Sequence, residues 1–104
     1  MKTLLRPYEG TLPYLFVSYA HKDDAAVLEI ISTLQSRGFR VWYDEGIEAG
    51  SEWPESIASH LERAQLVLAF LSPAYLRSDN CRKEMHYALT KKKTVINVFL
   101  EPTE

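Results

Sequence analysis

Residues 66–84 read LVLAFLSPAYLRSDNCRKE, and this stretch decides the fold. The apolar run Leu66-Val67-Leu68-Ala69-Phe70-Leu71 has the length of a strand covered on both faces, and it stops at Ser72-Pro73. A short turn is expected next, then a helix starting near Ser78, with Ser78 or Asp79 as its cap. The apolar stripe of that helix is Cys81, Met85, Ala88 and Leu89. A buried strand thus delivers Glu84 to the rim of a sheet, where open α/β sheets bind ligands. Asn80 and Ala88 stand four residues to either side, and neither can neutralise the carboxylate. At roughly 100° per residue, Glu84 lies about 60° from Cys81 and about 40° from Ala88, so it borders the stripe. A half-exposed helix glutamate and a working carboxylate both fit that position.

The same alternation extends outward from this stretch. Tyr14-Leu15-Phe16-Val17-Ser18 reads as a first strand, and the polar turn after it lets Asp23 or Asp24 cap a helix. Val27, Ile30, Ile31 and Leu34 form one face of that helix, and Gly38 ends it in a left-handed conformation. Phe39 to Tyr43 is a second strand, rich in aromatic and β-branched residues. Asp44 to Glu52 carries two glycines and several acids and reads as a loop. Trp53, Ile57, Leu61 and Ala64 mark another helix, with Pro54 tolerated in its first turn. Thr94 to Leu100 is the fourth strand. Strands near 14–18, 40–43, 66–71 and 94–100, separated by helices, mean an α/β fold. The expected form is a flavodoxin-like parallel sheet with helices on both faces and the order second-first-third-fourth. The domain is expected over residues 14–104, with 1–13 as an N-terminal extension. Truncation after the fourth strand is expected, with a covering helix and a fifth strand beyond it.

Composition narrows the function. The chain has 104 residues, 46% hydrophobic and 25% charged, which is ordinary globular composition for one domain. A net charge of −2 argues against a generic nucleic-acid or anionic-membrane surface. Lys91-Lys92-Lys93 falls where a helix ends and complements its dipole. The single Cys81 suits a reducing cytosol, so a cytoplasmic location is expected. His21, His60 and His86 are scattered without metal-ligand spacing, so no metal is expected. No apolar stretch approaches a membrane span, and no signal peptide is read in Met1 to Leu12. A phosphoacceptor receiver would need an aspartate where Ser72 stands. Neither a Walker loop nor a glycine-rich dinucleotide fingerprint is present.

Phe16-Val17-Ser18-Tyr19 leads into His21-Lys22-Asp23, and Val41-Trp42-Tyr43-Asp44 leads into Ile47-Glu48-Ala49-Gly50-Ser51. Leu71-Ser72-Pro73-Ala74-Tyr75-Leu76 follows, then Ser78, Cys81 and Glu84. In order and spacing, from about Tyr14 to Pro102, these motifs resemble a bacterial Toll/interleukin-1 receptor (TIR) domain. The resemblance implies a five-stranded flavodoxin-like fold in an immune or signalling protein. It implies cleavage of NAD+ between nicotinamide and ribose, giving nicotinamide and ADP-ribose or a cyclic isomer. The alternative it implies is a non-catalytic adaptor that binds other TIR domains. NAD+ would be substrate, with no cofactor; further TIR domains would be partners.

The resemblance makes Glu84 the catalytic residue. A carboxylate suits the chemistry: nicotinamide is a cationic leaving group that needs no strong acid, and the transition state is oxocarbenium-like. The turn Ser18 to Lys22, with Ser18, Tyr19 and Lys22 as candidates, is placed to meet phosphate or ribose. Asp44, Gly50 and Trp53 complete the substrate-binding candidates. They lie along the glycine-containing "BB loop", which the resemblance has covering the substrate and contacting neighbouring domains. Asp44, Glu45, Glu48 and Glu52 otherwise read as a solvated acidic loop, and Trp53 equally as the first core residue of its helix. Two departures from the family pattern are Ala20-His21-Lys22, where arginine is common, and Asn80, where tryptophan is common. Cys81 reads as core rather than nucleophile. His60 and His86 read as exposed.

Overall fold

The computed structural model describes residues 7–44 and 55–100. Strands β1 (Leu15–Ser18), β2 (Val41–Tyr43), β3 (Leu66–Leu71) and β4 (Val95–Phe99) form one four-stranded sheet in the order β2-β1-β3-β4. Every pairing is parallel, with Phe16 opposite both Trp42 and Val67. Helices α1 (Asp24–Ser36), α2 (Glu55–Arg63), α3 (Pro73–Arg77) and α4 (Asp79–Thr90) make the connections.

Strand alternation sorts the core into two layers. Val17, Val41, Tyr43 and Phe70 pack with Val27 and Ile31 of α1. Phe16, Trp42 and Val67 pack with Ile57 and Leu61 of α2 and Ala88 of α4. The two side-chain sets therefore cover opposite faces. Ser18, two residues after Phe16, belongs to the α4 face by the same alternation. Gly38 ends the α1 connection at φ +94°, a conformation that side chains with a Cβ rarely adopt. Among the described residues, Ile96 and Phe99 of the edge strand β4 are exposed.

The structure differs from the sequence reading in several places. The stretch after β3 is a short helix rather than a turn, because the Ser72 hydroxyl accepts from the Tyr75 amide and Pro73 suits a first helical position. Leu89 is exposed; it stands about 140° around α4 from Glu84, and the inward face is Cys81, Glu84 and Ala88. Asp23 does not cap α1 with its side chain, which instead accepts from the Ser72 hydroxyl. His60 is not an exposed residue: its side chain is 17% accessible and stacks on Trp42 at 4.2 Å. Part of the expected N-terminal extension is integral to the packing. The Tyr8 amide bonds to the Val41 carbonyl at 2.8 Å, Tyr8 packs on the α2 face, and Glu9 accepts from Trp42 Nε1.

Candidate functional site

The carboxyl ends of β1, β2 and β3 open into one cavity. β1 ends in Ser18 and passes into Tyr19 and Ala20, both buried, then into a 3-10 turn over His21–Asp23. β2 ends beside Asp44. Ser72 caps α3, and Ser78 caps α4 by accepting from the Cys81 amide at 3.2 Å. These two caps bend the chain twice within a few residues and aim the second turn of α4 inward. The cavity, open to solvent, has a volume of about 560 Å³, and Tyr19, Lys22, Asp44, Arg77, Lys83 and Glu84 contribute to its walls.

Glu84 is only 6% exposed. Ser18 Oγ donates to its Oε1 at 2.7 Å. The Tyr75 hydroxyl lies 2.8 Å from the same Ser18 oxygen. Ser18 itself is 1% exposed, so its hydroxyl meets Glu84 and Tyr75 rather than facing the open cavity as the sequence reading expects. Burial pushes the Tyr75 phenol well above its usual pKa, and the Ser18 hydrogen bond opposes this only partly. Burial also pushes the Cys81 thiol up to about 12, so it stays protonated and is a poor nucleophile.

The charges in the walls differ in how they are engaged. Asp79 pairs with Arg82, and Asp44 lies 3.8 Å from His21. Among the described residues, Lys22, Arg77 and Lys83 have no carboxylate within ion-pair distance. Among the described residues, the cavity wall thus carries three exposed cations outside any ion pair and one buried carboxylate. An anionic ligand with an electron-poor centre matches that pattern.

Glu84, Ser18, Tyr19, Lys22 and Asp44 therefore come together, all but Ser18 lining the cavity. Gly50 and Trp53 lie outside the described residues. Tyr75, Arg77 and Lys83 were not anticipated. Arg77 and Tyr75 depend on a helix with only one turn of signal, while Lys83 is marked only by its place beside Glu84. No group of His, Cys, Asp and Glu able to hold a metal occurs among the described residues. No described helix is long and apolar enough to cross a membrane.

A family model described as "TIR domain" matches residues 15–104. The NAD(+) hydrolase TcpA of Theionarchaea archaeon (strain DG-70-1) is 30% identical over 91 residues, covering 82% of this chain and 28% of that protein. The uncharacterized protein y4lF of Sinorhizobium fredii is 28% identical over 74 residues, covering 67% and 23%. This chain spans about a quarter of the length of these curated relatives. Among solved structures, the TIR domain of the Toll-related receptor TRR-2 of Hydra magnipapillata superposes with a TM-score of 0.72 at 20% identity, covering 86% of this chain and 72% of that one. A metazoan TIR-STING receptor from C. gigas gives 0.67 at 21% identity, covering 97% and 35%. The TIR domains of the activated Roq1 resistosome give 0.67 at 18% identity, covering 85% and 57%. At these identities the structural likeness speaks to the fold.

Proposed function

The chain belongs to the TIR domain family, and we propose that the intact protein cleaves NAD+ at the nicotinamide–ribose bond with Glu84 as the catalytic carboxylate. The observation that carries the reading is a buried glutamate in the wall of a cavity at the carboxyl ends of the strands, held by a neutral hydroxyl. The similarity to a relative named as an NAD(+) hydrolase supports it.

In this reaction the bond between ribose C1′ and the nicotinamide nitrogen breaks. Its electron pair goes to the nitrogen, so the base leaves neutral without a general acid. Positive charge develops at C1′ and the ring oxygen. The Glu84 carboxylate stabilises that charge. Water then adds to C1′ and loses a proton, giving ADP-ribose; attack from within the same molecule gives a cyclic isomer. Lys22, Arg77 and Lys83 supply positive charge for the diphosphate, and Tyr19 and Asp44 line the approach. Gly50 and Trp53 belong to the proposal as substrate-covering residues. NAD+ is substrate here, and the chemistry requires no cofactor.

Self-association with other TIR domains and a cytoplasmic setting are part of the same proposal. The test follows nicotinamide release by chromatography as protein concentration rises. A rate that climbs faster than linearly is expected, because a site completed by a neighbouring copy is populated by assembly. A full-length protein that leaves NAD+ intact even when forcibly clustered overturns the enzymatic reading and favours an interaction module.

A further inference from the structure

We infer that Ser18 and Tyr75 are positioning residues for Glu84, through a one-way chain of hydrogen bonds from Tyr75 to Ser18 to Glu84. This inference rests on the reading of Glu84 as the catalytic carboxylate.

The direction follows from proton counting. Ser18 has one hydroxyl proton, and it goes to Glu84 Oε1 at 2.7 Å. The 2.8 Å contact between Ser18 Oγ and the Tyr75 hydroxyl must then be donated by tyrosine. Burial keeps the Tyr75 phenol protonated, which preserves that direction. The members come from three separate elements: the last residue of β1, the middle of α3 and the second turn of α4. Tyr75 and Ser18 are 2% and 1% exposed, so water does not compete freely for either hydroxyl. The Tyr75 ring is also held, packing with Ala20, Ala69 and Cys81.

The chemistry gives this arrangement its purpose. The Ser18 hydroxyl fixes one carboxylate oxygen without bringing a positive charge of its own to it, so this bond does not itself neutralise the group proposed to face the cation forming at C1′. Preorganisation of this kind acts on the chemical step rather than on substrate binding.

The test uses the full-length protein, clustered, with NAD+ as substrate and melting curves in parallel. Ser18→Ala lowers kcat about 10-fold with KM within about twofold, the effect of losing one positioning bond. Tyr75→Phe keeps the ring and lowers kcat about threefold. The double variant is no slower than Ser18→Ala, because the chain passes through Ser18. Ser18→Thr restores the hydroxyl and recovers activity to within about threefold of wild type. Should Ser18→Ala fold poorly, Tyr75→Phe carries the comparison. An arm independent of activity follows the Glu84 side-chain carboxylate 13C resonance, which moves in Tyr75→Phe if the chain exists. Wild-type kcat in both single variants, beside an inactive Glu84→Gln, overturns this inference and leaves the proposed function standing. An active Glu84→Gln overturns the proposed function itself. Multiplicative losses in the double variant, with KM rising as kcat falls, also contradict the chain and mark a packing role.

Discussion

Two glutamates of this molecule are held in opposite ways. Glu84 is buried at the carboxyl ends of the strands and accepts from a serine hydroxyl at 2.7 Å. Glu9 has a side chain 64% exposed beside the edge strand β2, with His60 Nε2 at 3.0 Å and Trp42 Nε1 donating at 2.9 Å. Those hydrogen bonds, His60 first and then Trp42, hold the Glu9 carboxyl below its ordinary range. Around them Trp42 stacks between His60 and Phe16 at 4.2 and 5.1 Å. The exposed carboxylate is given donors and fastens a chain segment. The buried one lies in the wall of a cavity, where burying charge opposes stability. One corner fastens the fold, and the other is the proposed catalytic corner.

Separating the two corners by mutation tests that contrast. The largest stability loss is expected from Trp42→Ala, which removes a buried ring and two stacking partners; about 3–5 kcal/mol should be lost in denaturant unfolding. His60→Ala should cost about 1–2 kcal/mol, since it removes the stack on Trp42 and two side-chain hydrogen bonds, to Glu9 and to the Ser56 carbonyl. Neither should change turnover per folded molecule. Cys81→Ala should cost about 1 kcal/mol and leave nicotinamide release intact, because a thiol with its pKa near 12 supplies no nucleophile at neutral pH. Release abolished in a folded Cys81→Ala protein would break the assignment of chemistry to Glu84.

Glu9→Gln should have the smallest effect, at most about 0.5 kcal/mol near neutral pH, given the exposure of the Glu9 carboxylate. Its pH dependence sharpens the comparison. The folded pKa of Glu9 lies below 4.5, so its contribution is present above that value and is lost as pH falls through the depressed value. Melting temperatures of wild type and Glu9→Gln should therefore converge on acidification. A gap that widens as the pH drops would contradict the clasp.

How legible each corner is in the sequence follows from the range of its contacts. Gly38 and Ser78 act on neighbouring residues, and their glycine and N-cap roles can be read locally. The parallel sheet follows from alternating apolar runs and helical stripes, and the sheet adopts the flavodoxin-like order expected for it. Glu84 is readable as a residue near a buried helix face, but its burial is not. Ser18 stands 66 residues away, and only strand alternation combined with the position of α4 brings the two together. Glu9 and His60 are 51 residues apart, with no periodic signal to join them. The α3 helix is too short to show a repeat, which hides Tyr75 and Arg77. Leu89 joins the apolar pattern in sequence, while the actual inward face is centred nearer Glu84.

The most direct measurement runs Glu84→Gln and Glu9→Gln side by side in the full-length protein, reading nicotinamide release and thermal melts together. Glu84→Gln should lower release by at least about 10²-fold, the scale expected for a positioned charge-stabilising group, with melting temperature unchanged or raised because a buried charge is removed. Glu9→Gln should keep full release. Full activity in Glu84→Gln, or loss of activity in Glu9→Gln with Glu84→Gln unaffected, would contradict the assignment of the catalytic carboxylate to Glu84.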